Sequence, residues 1–139
     1  MNDCCATKNM PEQGRKLACP GCGRTGLPVS EKTLLHHLKQ PWLWQGGQGY
    51  FGCEAVNCEL NYFSADGAVI RTDALRSKPG LKSRQADAPI CYCFGLSRAD
   101  AADPDARAFV IKQTRLGNCA CEARHPYGRC CLKDFPKPP

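Results

Sequence analysis

Apolar residues recur at helical spacing in two stretches of the chain. Between Ser30 and Gln40, Leu34, Leu35 and Leu38 form one stripe on a short helix that Ser30 caps and Pro41 stops. Between Asp103 and Gly117 the period returns at Phe109, Val110, Gln113 and Leu116; Asp103 is the cap, Pro104 the first helical residue and Gly117 the stop. A shorter helix is expected from about Arg129 to just before Pro136. The other apolar runs are too short for helices. Tyr50-Phe51-Gly52-Cys53 reads as a strand entered through the Gly46-Gly47 and Gly49 turn. Asn61-Tyr62-Phe63 and Ala68-Val69-Ile70-Arg71 flank Asp66-Gly67, the signature of a hairpin turn. Trp42, Leu43 and Trp44 are expected to close a small core beside the first helix.

These elements divide the chain into a mobile arm (1–16), a first module (17–70), a basic linker broken by Pro79-Gly80 (71–89) and a second module (90–139). The fold class expected is small α+β: a zinc-ribbon-like module stabilised by metal, followed by a short helical module. With 13 Gly and 11 Pro in 139 residues the core is modest, so bound metal must contribute to folding.

Cysteine usage changes the picture most. Twelve cysteines fall in pairs: Cys4-Cys5, Cys19/Cys22, Cys53/Cys58, Cys91/Cys93, Cys119/Cys121 and Cys130-Cys131. Nothing in the first residues resembles a signal-peptide core, and no stretch approaches the roughly 18 apolar residues of a membrane span. The expectation is a cytoplasmic protein, without membrane insertion, whose reduced thiols bind metal. The formal charge of +6 counts every thiol as neutral. Four thiolates on Zn²⁺, and four on an oxidised 2Fe–2S core, each form a dianion, which would bring the total to about +2. The basic excess then compensates buried anions.

Cys19-Pro-Gly-Cys22-Gly and Cys53-Glu-Ala-Val-Asn-Cys58, with thirty residues between Cys22 and Cys53, have the spacing of a four-sulfur tetrahedral site. Four sulfurs leave no open position for water, so the expected role is structural; iron in a rubredoxin-like site is the chemical competitor. His36 and His37, between these pairs, are expected to be surface or packing residues. Cys91-Tyr-Cys93 is a different motif, since one intervening residue in extended chain puts both sulfurs on one side. Its partners lie between Cys119 and Cys131. Cys131 is expected at a helix N-terminus, with Arg124 and Arg129 adding positive potential that eases reduction. Spacing alone leaves a second zinc and an iron–sulfur cluster in close competition.

The chain resembles the N-terminal domain of the CopZ-type copper chaperones, which carry zinc and a 2Fe–2S cluster. The resembling residues are Cys-Pro-Gly-Cys at 19–22, Cys-Glu-Ala-Val-Asn-Cys at 53–58 with Asn-Tyr-Phe at 61–63, and Leu-Arg-Ser-Lys-Pro-Gly-Leu-Lys at 75–82. Cys-Tyr-Cys at 91–93, Cys-Glu at 121–122 and His-Pro-Tyr-Gly-Arg-Cys-Cys at 125–131 complete them. The resemblance spans about residues 18 to 135. It implies that Cys19, Cys22, Cys53 and Cys58 hold zinc and that Cys91, Cys93, Cys121 and Cys131 hold the cluster, in an arrangement also similar to bacterioferritin-associated ferredoxins. It further implies partners of the kind this family serves: a copper chaperone domain, a metal transporter or an electron donor protein. Two departures stand out. The sequence has no Met-x-Cys-x-x-Cys loop like that of the family's copper-carrying domain, and it adds an arm bearing Cys4-Cys5.

The resulting expectation is an electron-transfer or metallochaperone protein rather than a true enzyme, supplying single electrons for Cu(II) to Cu(I) reduction or passing metal to a partner. Cys4 and Cys5 are a candidate capture site for a soft ion in transit, Cu⁺ or Hg²⁺. Cys119 and Cys130 are read as packing beside the cluster. No hydrolytic triad or phosphate loop is present. A zinc-ribbon nucleic-acid binder using Arg71, Arg76, Lys78, Lys82 and Arg84 is the alternative, along with a purely structural zinc protein. Aromatics are not interleaved with those basic residues, as a base-stacking platform requires.

Overall fold

An antiparallel meander carries the first half of the chain. In the computed structural model, which describes residues 16–44 and 49–135, five strands follow one another in sheet order: β1 Leu17–Ala18, β2 Thr25–Val29, β3 Tyr50–Gly52, β4 Leu60–Ser64 and β5 Val69–Arg71. Asp66-Gly67 makes the β4–β5 turn as expected, with Gly67 at φ 93°, a conformation that only glycine adopts without strain. Nearly every residue of β3 and β4 is buried because both faces of the sheet are covered. Register explains the split. Phe51 stands opposite Phe63 and their rings stack at 5.9 Å on the face that holds Cys19 and Cys53. Gly52 stands opposite Tyr62 on the other face, where Val29, Tyr50 and Tyr62 pack on Leu34 and Leu38.

Helix α1 (Glu31–His37) begins as expected, with the Ser30 hydroxyl accepting from the Thr33 amide at 3.2 Å. It ends three residues short of the expected boundary. Leu38 turns extended and pairs with Leu75, burying itself against the stretch that follows β5. Leu34 and Leu38 therefore point inward while Leu35 lies at the exposed edge. The expectation for Trp42 and Leu43 is corrected outright: they are 74% and 63% exposed. Pro41–Leu43 is a single 3-10 turn, and successive side chains about 120° apart cannot share one face. Trp44 alone reaches the core, tilted against Tyr50 at 5.1 Å, with its indole N–H donating to Glu31.

The second half holds a two-stranded ladder, β6 Pro89–Cys91 with β7 Leu96–Ser97, then α2 (Arg98–Ala101), α3 (Pro104–Arg115) and α4 (Cys121–Arg124). α3 starts on the expected Asp103 cap and Pro104. Val110 is its buried residue, packed with Ile90, Cys91, Ala101, Cys131 and Phe135, whereas Leu116 stays in solvent. The helix expected from Arg129 is instead a 3-10 turn, Cys131–Asp134. None of the described helices is long and apolar enough to cross a membrane.

The two halves are joined by the returning segment 122–129. The Glu122 backbone carbonyl accepts from Thr33 Oγ1 at 2.5 Å, and Tyr62 donates its hydroxyl proton to the Pro126 carbonyl. The Tyr127 ring lies directly over Gly52, where a Cβ would meet Tyr127 Cδ1 at 2.5 Å; no larger residue fits there without moving the ring. The stretch 71–89, expected as a basic linker, buries Leu75, Pro79, Gly80, Lys82 and Ala88.

Candidate metal centres

Cys19 and Cys22 sit on a tight turn between β1 and β2, closed by Cys19 N–H donating to the Arg24 carbonyl and Gly23 N–H to that of Cys19. Cys53 follows β3 with its N–H on the Asn61 carbonyl, and Cys58 closes a second turn through the Ala55 carbonyl. The sheet thereby brings two distant knuckles face to face. All four Sγ atoms lie within 4.8 Å of one another, with Cys19–Cys58 at 3.8 Å and Cys22–Cys53 at 3.6 Å. A tetrahedral tetrathiolate with Zn–S bonds of ~2.3 Å places its sulfurs about 3.8 Å apart, so the donor set fits Zn²⁺. Burial pushes the Cys53 thiol up to about 12 and raises that of Cys58, while backbone hydrogen bonding at Arg24 lowers Cys22. A cation that displaces these protons replaces a costly anion with a neutralised one. Beneath the site lies Lys82, 2% exposed, its Nζ donating to the carbonyls of Cys58 at 2.8 Å and Leu60 at 2.6 Å.

A second set of thiols gathers in the other half. Cys91, Cys121 and Cys131 are buried to 2% exposure or less, and Cys93 and Cys130 are half-buried. Cys93 Sγ is 3.7 Å from Cys121 Sγ, and Cys91 packs with Cys131 in one buried cluster. The contact with Cys121, followed by burial, raises the Cys93 thiol; the neighbouring Cys131 thiol lowers Cys91. The Ala120 N–H points at Cys93 Sγ at 3.1 Å. Cys131 is buried in the cluster that holds Cys91, whereas Cys130 is half-buried and outside it. Among the described residues only the first set brings three or more ligand atoms within 4.8 Å of one another. No described cysteine is in a disulfide. Cys119 is half-exposed nearby; Cys4 and Cys5 lie outside the described residues.

Charges near the second set are distributed differently from expectation. Arg124 is exposed and favours the thiolate at Cys93. Arg129 is spent on carboxylates, with Glu54 at 2.6 Å and Asp134 at 2.9 Å. Asp134 also accepts from His125 Nε2 at 2.7 Å, and His125 Nδ1 accepts from the Tyr127 amide, so the bonding pattern assigns the Nε2–H tautomer. Glu54 lies between Cys53 and Cys58, so this network ties the second knuckle to the segment bearing Cys130 and Cys131. The sequence reading missed this network and Lys82; both lie in motifs it quoted, but nothing in those motifs distinguishes a buried charge from a surface one.

His36 and His37 keep away from the thiols, as expected. His36 is exposed and bonds the Lys32 carbonyl; His37 packs edge-on against Tyr92, with its Nε2 buried and unpartnered. Burial, helped by the Arg76 charge, holds His37 down to about 4. The unfolded chain takes up a proton near pH 6.5 that the folded chain refuses. The stabilising effect is therefore complete above about 6.5 and is lost as pH falls towards 4. Between pH 7.5 and 5.5 the wild type is expected to lose roughly 1.4 kcal/mol more than His37→Gln, measured by chemical denaturation of the zinc-loaded proteins.

Comparison with known proteins follows the same geometry. Residues 16–76 match the zf_CopZ family, described as a zinc binding domain. The chain is 30% identical over 120 residues to the copper chaperone CopZ of Archaeoglobus fulgidus, covering 83% of this chain and 58% of that protein. The crystal structure of the Archaeoglobus fulgidus CopZ N-terminal domain superposes with a TM-score of 0.66 at 27% identity, covering 85% of this chain and 94% of that one. Residues 16–76 are a CopZ-type zinc-binding domain. The shared fold is the small α+β arrangement described above, and it extends beyond the zinc domain into the second half. The chain spans somewhat over half the length of the chaperone it matches.

Proposed function

We propose that this chain is a metal-handling protein that holds two different centres: Zn²⁺ on Cys19, Cys22, Cys53 and Cys58, and a 2Fe–2S cluster on Cys91, Cys93, Cys121 and Cys131. The observation that carries the second assignment is the gathering of thiols from two segments: Cys93 Sγ lies 3.7 Å from Cys121 Sγ, and Cys91 and Cys131 are buried in one cluster. Two sulfur pairs set wider than a single tetrahedron suit a core with two metal atoms better than one ion. Cys131 is favoured over Cys130 because it is buried and packs with Cys91.

When bound, such a cluster supplies single-electron transfer, the stoichiometry needed to take Cu(II) to Cu(I). The chain's own residues exclude water from three of the four sulfurs, direct the Ala120 N–H at the fourth, and place the exposed positive charge of Arg124 beside it. Copper as the ion handled, and a metal transporter or chaperone domain as partner, are supported by the likeness to the Archaeoglobus fulgidus chaperone. The nucleic-acid alternative finds little support in the basic stretch, since Lys82 is buried and Arg71 is paired with Glu59.

Purification from iron-replete, oxygen-free expression tests the reading. The expected product is brown, with about two iron, two labile sulfide and one zinc per chain, and its visible bands bleach with dithionite. Cys121→Ser is expected to lose the colour and iron while keeping the zinc. A stably folded, colourless wild type containing zinc alone would remove the redox function.

A further inference from the structure

Lys82 is the only lysine or arginine buried among the described residues, and no carboxylate pairs with it. Its position is built rather than incidental. The 3-10 turn Gly80–Lys82 is pinned from outside: the Gly80 N–H donates to the Tyr92 hydroxyl at 2.8 Å, and Arg98 donates to the carbonyls of Gly80 at 3.1 Å and Ser83 at 2.8 Å. So held, the side chain runs inward and ends on the Cys58 and Leu60 carbonyls. Both acceptors belong to the knuckle that presents Cys58. An ammonium has three protons to donate and nothing to accept with, and burying it without an opposing charge is strongly unfavourable. Burial works against the ammonium and lowers its pKa; what opposes burial is the negative potential of Cys53, Cys58, Cys19 and Cys22, the four converging thiols.

The missing counter-charge appears when a dication replaces the four thiol protons, because four thiolates around M²⁺ carry a net charge of −2. We propose that Lys82 is the internal counter-cation of this site, a positioning residue that holds the second knuckle through two carbonyls and offsets half of the metal centre's charge. The inference rests on the assignment of zinc to these four cysteines. It goes further in naming an outer residue that sets how tightly the ion is retained and how readily a redox metal in the same place is reduced.

Lys82→Met, nearly the same length without the charge, is the test, with exposed Lys78→Met as the control. In competition with a chromophoric chelator, the Lys82 variant is expected to hold zinc at least about tenfold more weakly and the control to stay within about twofold of wild type. With iron in place of zinc, the midpoint potential should fall for Lys82→Met and not for Lys78→Met, a readout that loss of packing alone does not move in a defined direction. Zinc affinity and iron potential unchanged in Lys82→Met would overturn the proposal. If the variant fails to fold, ¹⁵N spectra of the zinc-loaded wild type decide: a slowly exchanging ammonium signal from Lys82 supports it, and a neutral amine defeats it. A wild type that takes up no zinc on these four cysteines would instead refute the underlying site assignment.

Discussion

Stripping zinc with a chelator under reducing conditions is expected to unfold the β1–β5 half of the protein. The core on that face of the sheet consists of Phe51 and Phe63 with Cys19 and Cys53, fringed by Leu17, Ala55, Cys58 and Leu60. Two buried aromatic rings and a few partly covered aliphatics supply little hydrophobic free energy for a domain of this size. Structural zinc contributes on the order of 10–16 kcal/mol of apparent binding free energy, as much as the whole stability of an ordinary domain. Cys53→Ser should reproduce the effect, because it removes a ligand that is 1% exposed and cannot be replaced by water without opening the knuckle. Loss of far-UV strand signal and of amide dispersion for Leu17–Arg71 is the measurement. Retention of both in zinc-free protein would show that the apolar contacts suffice alone.

Tyr127→Ala is expected to cost about 3–5 kcal/mol in the zinc-loaded protein, the range for deleting a buried aromatic ring and leaving its cavity. The residue is 5% exposed and covers Gly52; its ring meets Tyr62 at 6.1 Å, and its hydroxyl donates to the Cys53 carbonyl at 2.7 Å. Tyr127→Phe keeps the ring and should cost only about 1–3 kcal/mol, the cost of leaving a buried acceptor without its donor. Because that acceptor belongs to Cys53, both substitutions should also speed zinc release. Denaturant titration and chelator kinetics test the two effects together. A loss below about 1 kcal/mol for the alanine variant would show that the returning segment only rests on the sheet.

Features governed by local chemistry were readable in the sequence. Asp66-Gly67 fixes its turn, Ser30 and Asp103 fix their caps, and the Cys19/Cys22 and Cys53/Cys58 spacings each shape a knuckle, because each depends on a few adjacent residues. What depended on contacts far along the chain was not readable. Leu38 leaves its helix for Leu75, thirty-seven positions away. Trp42 and Leu43 look like core by composition but occupy a turn that cannot bury them. Lys82 and Arg129 look like surface charge because nothing beside them announces a backbone carbonyl or a carboxylate arriving from elsewhere. The ladder β6–β7 and helices α2 and α4 are two to four residues long, too brief for any period to register.

The contact of Tyr127 with Gly52 has a bearing on how this polypeptide is made. On a ribosome the strands Leu17–Arg71 emerge many residues before the ring that completes one of their faces. Until then Val29, Tyr50 and Tyr62 are left partly uncovered and the Cys53 carbonyl lacks its donor. A nascent chain halted near residue 76 would therefore present a sticky, incompletely roofed sheet, so the first half is completed only once the segment bearing Tyr127 has emerged.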